Sequence, residues 1–208
     1  MVKAYIIGAG TLARQIYSFF HDSIKFIGFL DTPYKLNEKI YGLPVHEHPP
    51  TIEYAVMGVA SPNNKKRYWQ KYIVDAGCKP FTLKHPTAII SSFAEYDEGC
   101  SFLPYSIVGA DVKLGKYVHL APNALVGHNS TVGDFTTFFN FVAVGGCCDI
   151  EEEVTMFLGS TIISPENYRT EGKVRLGKGC VVAAGSVVTK SFPAGKQLMG
   201  VPAKEKQS

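Results

Sequence analysis

SIVGAD-VKLGKY-VHLAPN-ALVGHN-STVGDF, residues 106–135, falls into five hexads with a large apolar residue third in each. Every sixth residue outward from that stretch continues the rule: Ile90, Tyr96, Phe102, Val108, Leu114, Leu120, Val126, Val132, Phe138, Val144, Ile150, Met156, Ile162. All thirteen are apolar in a chain that is 46% apolar, so chance does not account for them. Neither an amphipathic helix nor an ordinary strand repeats every six residues, whereas a β-solenoid does. A second series runs four residues on: Ala94, Cys100, Ser106, Val112, Val118, Ala124, Ser130, Thr136, Val142, Cys148, Val154, Ser160. Large then small, repeated, fills a narrow triangular interior. Three hexads make one coil of eighteen residues, so residues i and i+18 lie one above the other, about 4.8 Å apart. Gly109, Gly115, Gly127, Gly133 and Gly145 follow the large residue, where a corner is expected to need φ > 0. The register breaks after Ser164 and resumes at Leu176, Val182 and Val188. The polar segment between, 165–173, is either a solvated loop or a binding loop, with Arg169 and Lys173 as candidate phosphate partners.

The N-terminal part reads differently. Lys3–Gly8 is a short apolar run, Gly8-Ala9-Gly10-Thr11-Leu12-Ala13 follows, and Arg14–Phe20 reads as a helix. Strand, glycine turn, helix is the context in which G-x-G-x-x-A is informative, because a helix N-terminus attracts phosphate. Phe26–Leu30 reads as a second strand ending at Asp31, where a ribose hydroxyl is expected. Residues 54–60 read as a third strand ending near Asn63, 64–76 as a helix and 80–83 as a last strand. Residues 1–83 thus form a small Rossmann-like α/β domain of three or four parallel strands, and 84–208 form the solenoid. Gly8, Gly10, Thr11, Asp31 and Asn63 are the expected ligand contacts at the strand ends. About eighty residues are half of a full dinucleotide fold, so the diphosphate of a sugar nucleotide suits this domain better than a nicotinamide dinucleotide. A glycine turn that binds nothing stays open.

Composition excludes several classes. The net charge is +3 and the longest basic block is Lys65-Lys66-Arg67, so no nucleic-acid partner is expected. There is no apolar run of a membrane span's length. Five cysteines, an odd count without Cys-x-x-Cys, suggest reduced thiols and a cytoplasmic setting. Cys100 and Cys148 fall on the inward series and read as core rather than as metal ligands, so no metal is expected.

A Rossmann-like domain followed by a hexapeptide solenoid resembles the sugar O-acyltransferases of the sialic acid O-acetyltransferase group. Within it the chain looks most like N-acetyltransferases acting on nucleotide-linked 4-amino-4,6-dideoxy sugars. The resemblance spans the whole chain. Its anchors are Gly8-Ala9-Gly10, Phe29-Leu30-Asp31, His85-Pro86-Thr87-Ala88, Gly127 to Phe135, and Gly200-Val201-Pro202-Ala203-Lys204. It implies a left-handed parallel β-helix, a homotrimer, acetyl-CoA as donor, a nucleotide-linked amino sugar as acceptor, and His128 as general base. O-acetylation of a sugar such as sialic acid, or a non-catalytic scaffold, are the alternatives.

An imidazole suits the task, since an attacking ammonium must lose a proton. His128 comes two residues after the inward Val126, hence at a corner; the same position also suits a plain turn histidine. Eighteen residues on lies Gly146, which leaves room for a thioester and whose N–H is expected at the oxyanion. Two departures from the resembled motif matter. Asn129 stands where an acid usually follows the catalytic histidine; its carbonyl can orient an imidazole without charge, and Asp111, eighteen residues earlier, is expected to supply the missing charge, alone or through Asn129. Thr137 stands where relatives often carry a second histidine near the donor; His119, one coil below, is read as a plain surface histidine or as a partial substitute for it. Gly145 and Gly146 are expected at the reacting end of acetyl-CoA, and Ala183, Gly185, Pro202 and Lys204 along its pantetheine and adenine. Phe139 and Phe141 point away from the core, into a subunit interface or the substrate cleft, and support oligomerisation.

Overall fold

A computed structural model of the chain describes residues 1–32, 39–167, 170 and 172–206. It divides into two compact units, Met1–His85 and Pro86–Ser208.

The first unit contains β1 (Lys3–Ile7), α1 (Thr11–Phe20), β2 (Lys25–Leu30), β3 (Lys39–Ile40), β4 (Leu43–His46), β5 (Tyr54–Met57), α2 (Pro62–Tyr68), a π-helical segment Trp69–Asp75 and β6 (Lys79–Pro80). The sheet order is β3-β4-β2-β1-β5-β6, parallel except for the β3–β4 pair. β1 is buried along Ala4–Ile7, as a strand covered on both faces must be. α1 buries Ala13, Ile16 and Phe20, a stripe at helical spacing. Gly8 has φ +91°, and a Cβ there would come within 2.7 Å of the Val59 side chain. The sheet has six strands, not the expected three or four. The unread pair is a hairpin whose turn residues Tyr41 and Gly42 both have positive φ, 52° and 81°, the sense that matches strand twist. Its strands are too short and too polar to show a period. The helix expected over 64–76 starts earlier, at Pro62, and widens into π turns from Trp69.

The second unit is a parallel β-helix. Strand partners are eighteen residues apart: Ile107 with Leu125, Lys113 with Thr131, His119 with Thr137. The large apolar series and its small companions line one continuous core, Cys100, Cys148 and Cys180 among them. Ser106, Ser130, Thr136, Ser160 and Ser186 complete the small series and are equally buried. Past the polar segment the offset becomes twenty-six, as in Cys148 with Val174, so the insertion is eight residues long.

The corners are not built as the glycine pattern suggested. None of Gly109, Gly115, Gly127, Gly133 and Gly145 has a positive φ. Left-handed φ belongs instead to Tyr105, Asp111, Tyr117, Asn123, Asn129, Phe135, Phe141, Cys147 and Glu153, at 55–63° and six residues apart. Such a conformation costs an L-residue roughly 1–3 kcal/mol and persists only where its surroundings over-determine it. Here a backbone bond does so. The N–H of each residue from Tyr117 to Glu153 in this series donates to the carbonyl nineteen residues earlier, Asn129 to Ala110 at 3.0 Å and Cys147 to His128 at 2.8 Å among them. The glycines answer a different need, the approach of the next coil. A Cβ on Gly127 would lie 2.6 Å from the carbonyl carbon of Gly145 and from the nitrogen of Gly146.

Gly133→Ala tests this packing away from any candidate site residue. Its Cβ would lie within 2.7 Å of the Glu151 carbonyl carbon, backbone that cannot rotate aside. The substitution is expected to cost about 1–3 kcal/mol. A lower thermal midpoint is the expected result, and an unchanged one refutes the close-approach account.

Candidate functional site

At the corner after the strand Leu125–Val126 the coil turns through Gly127-His128-Asn129 into Thr131–Val132. The eighteen-residue register stacks His128, Gly146 and Ser164 in one column and Asp111, Asn129 and Cys147 in the next. His128 is exposed, but its backbone is pinned, because its carbonyl takes the corner bond from Cys147. Its Nδ1–H donates to Asn129 Oδ1 at 2.9 Å. An amide oxygen only accepts, so Nδ1 holds the proton and Nε2 presents a lone pair. The ring lies against Gly146: a Cβ there would be 2.6 Å from Nε2 and 2.7 Å from Cε1. Ser130, fully buried below, donates to the Gly145 carbonyl at 3.1 Å and accepts from the Cys148 N–H at 3.0 Å, tying the two coils together. The result is an oriented, solvent-accessible imidazole with an open glycine over its free nitrogen, suited to removing a proton from a nucleophile.

Several expected contacts fall elsewhere. Asp111 is exposed, at a left-handed corner, and its carboxylate makes no hydrogen bond or ion pair among the described residues. The group facing Nδ1 is neutral Asn129, and no hydrogen bond links it to the Asp111 carboxylate. The Gly146 N–H, expected at the oxyanion, donates to Ser164 Oγ at 2.8 Å. The Gly145 N–H is spent on the Ile162 carbonyl at 2.9 Å. Thr137 is fully buried and its register partner His119 is 3% exposed, so neither presents a surface to a donor in this chain. Ala183 lines a shallow groove of about 170 Å³ with Phe157, Leu198 and Met199. Gly185 sits at a left-handed corner with open space above it. Pro202 and Lys204 are exposed on the last hairpin, Lys204 paired with Met199.

In the first unit Asp31 is turned inward. It is 4% exposed and its carboxylate accepts from Ala9 N–H at 2.7 Å, Thr32 N–H at 2.7 Å and Tyr68 OH at 2.6 Å, while Tyr72 OH donates to its carbonyl at 3.0 Å. Burial, then the Asp31 bond and charge, push the Tyr68 phenol up. The acid expected to hold a ribose instead closes the glycine turn. Gly10, Thr11 and Asn63 remain exposed at the helix starts.

Two features escaped the sequence reading. Ser164 is one, and the eighteen-residue step from Gly146 would have found it. The other is Asp149, whose carboxylate accepts from Thr131 Oγ1, from Lys173 Nζ at 3.2 Å and from Arg175 Nη2 at 3.4 Å. Lys173 therefore fastens the end of the inserted segment to the coil; Arg169 lies outside the described residues. Beside Ser164 the insertion opens a cleft of about 350 Å³ lined by Pro165, Glu166, Lys173, Thr189 and Lys190.

No protein-family model matches the chain. It is 24% identical over 213 residues to GDP-perosamine N-acetyltransferase of Escherichia coli O157:H7, covering 96% of this chain and 94% of that one. Among solved structures it is similar to WeeI from Acinetobacter baumannii AYE, with TM-score 0.89, 22% identity and coverage of 99% and 100%. It is also similar to PerB from Caulobacter crescentus in complex with CoA and GDP-perosamine, with TM-score 0.82, 20% identity and coverage of 99% and 97%. Among the described residues no helix is long and apolar enough to cross a membrane, and no group of His, Cys, Asp and Glu could hold a metal ion.

Burial works against ionisation of Asp149, but the Thr131 bond and the two cations outweigh it and hold its carboxyl below the usual range. The folded state thus binds this proton less readily than the unfolded chain, so the ion pairs stabilise at neutral pH and are lost as pH falls through the carboxylate range. Asp149→Asn is expected to lower the thermal midpoint at pH about 7, and the difference from the wild type is expected to shrink as pH falls through and below the carboxylate range. A midpoint difference independent of pH would show that the charge plays no part.

Proposed function

We propose that this chain, a member of the hexapeptide-repeat acyltransferase family, transfers the acetyl group of acetyl-CoA to the 4-amino group of a nucleotide-linked amino-deoxy sugar. The observation that carries this is the His128 corner: Nδ1 held by Asn129, Nε2 over Gly146, on a solenoid similar along nearly its whole length to a GDP-perosamine N-acetyltransferase. The sugar amine nitrogen bonds to the thioester carbonyl carbon, and His128 Nε2 takes the proton that the nitrogen sheds as that bond forms. The tetrahedral adduct collapses with cleavage of the C–S bond, and the proton on Nε2 passes to the leaving thiolate. The products are the sugar amide and the CoA thiol.

In this reading the solenoid is left-handed and acetyl-CoA lies along its coils, its acyl end at Gly145 and Gly146 and the rest towards Ala183, Gly185, Pro202 and Lys204. The first unit is Rossmann-like and holds the nucleotide at Gly8, Gly10, Thr11 and Asn63, with Asp31 shaping the turn rather than touching the ribose. A homotrimer is supported by Tyr105 and Phe141, 61% and 59% exposed on the same corner of the solenoid two coils apart. Five free thiols suit the reducing cytoplasm, where acetyl-CoA and sugar nucleotides are made.

The test has two stages. A ligand bound to the native state raises its stability, by about 2.7 kcal/mol at a hundred times its Kd. Acetyl-CoA and one of GDP, UDP or dTDP are expected to raise the melting temperature. With the 4-amino-4,6-dideoxy sugar of that nucleotide, CoA thiol should be released, and His128→Ala should lower kcat by about 10²–10⁴. No stabilisation by acetyl-CoA and no thiol release would refute the reading, and turnover of a sugar hydroxyl in place of the amine would make the protein an O-acetyltransferase.

A further inference from the structure

The column above His128 does not end at Gly146. Ser164 is the third member, and its Oγ accepts the Gly146 N–H at 2.8 Å. Gly145 makes the space for it, since a Cβ there would lie 2.6 Å from that Oγ. The hydroxyl proton of Ser164 has no acceptor among the described residues, and the side chain is exposed and lines the cleft opened by the insertion. A hydroxyl that accepts an N–H bond is polarised and becomes a better donor. Two glycines without Cβ atoms thus separate a lone pair on one side, His128 Nε2, from an unspent proton on the other.

We propose that Ser164 is a catalytic residue: its Oγ–H donates to the thioester carbonyl oxygen and to the oxyanion that forms there. This rests on the acetyl-transfer reading of the His128 site. A carbonyl lying over Gly146 has its carbon towards the amine that His128 deprotonates and its oxygen towards Ser164. As the C–N bond forms, the carbonyl π pair moves onto oxygen, where the Ser164 bond strengthens. As the C–S bond breaks, that pair re-forms the carbonyl and the thiolate takes the proton from His128. The Gly146 N–H, expected from sequence to be the donor, acts one bond further back by holding and polarising the serine. The register break begins at the next residue, so the insertion frames the cleft into which this hydroxyl points.

The experiment compares wild type, Ser164→Ala, Ser164→Thr and His128→Ala in thiol release with acetyl-CoA and 4-amino-4,6-dideoxy sugars on GDP, UDP and dTDP. Ser164→Ala is expected to lower kcat about a hundred-fold, the scale of one lost oxyanion donor. KM for acetyl-CoA and the melting temperature should stay near wild type, and Ser164→Thr, which keeps the hydroxyl, should retain most of the rate. A serine that only caps the Gly146 N–H would not move the carbonyl ¹³C resonance of bound [1-¹³C]acetyl-CoA. A downfield shift in wild type, lost in Ser164→Ala, is therefore expected. Ser164→Ala turning over as fast as wild type or faster overturns the inference and returns the oxyanion to the Gly146 N–H. Wild type releasing no thiol, or His128→Ala matching it, overturns the acetyl-transfer reading itself, and the inference with it.

Discussion

A hydrogen bond between a left-handed corner residue and the carbonyl nineteen residues before it recurs up the solenoid, and the rest of the second unit depends on it. It holds tyrosine, phenylalanine, asparagine and glutamate in a conformation each would otherwise leave. It also sets the vertical distance between coils. At that distance some of the residues that follow a large core side chain face backbone directly, and at Gly109, Gly115, Gly127, Gly133, Gly145 and Gly177 there is no space for a Cβ. Apolar series, small series and glycines are three consequences of one spacing.

The candidate site uses the same bond. Asn129 donates it to Ala110, and His128 receives it from Cys147, so both halves of the Nδ1–Oδ1 pair hang from a fixed backbone although both side chains are exposed. That rigidity is what a base needs if its lone pair is to meet a proton within hydrogen-bond reach. Where the next coils lack Cβ atoms, at Gly145 and Gly146, the imidazole and the Ser164 hydroxyl enter from opposite sides. The eight-residue insertion leaves from this same corner and is fastened back by Lys173 on Asp149, so the least regular part of the solenoid borders its most exposed histidine.

The first unit shows how far a fingerprint reaches. The strand, the glycine turn and the acid twenty-odd residues later are all present, and Gly8 needs its positive φ. The carboxylate nevertheless faces inward, because Tyr68, Tyr72 and the Ala9 N–H satisfy it there. Spacing along the chain carried Asp31 to the right strand end but held no information about its rotamer. That depended on two tyrosines from a helix nearly forty residues away.

The core of the solenoid was legible wherever the six-residue period holds, since that period needs only apolarity and size and each coil repeats the same demand; Val174, Leu198 and Ala203, which lie beyond the break in register, were not legible as core. The place of Gly146 over His128 followed from the same ruler. The burial of Thr137 and His119, the solitary Asp111 and the transfer of the Gly146 N–H to Ser164 were not legible. Each is decided by which side chain reaches which atom across coils, and hydrogen bonds compete there for donors that a linear pattern counts only once. The sequence by itself determined a stack of coils and where its corners come. The tertiary structure alone decided which donors and acceptors remain unspent at those corners, because only packing in three dimensions settles who is bonded to whom.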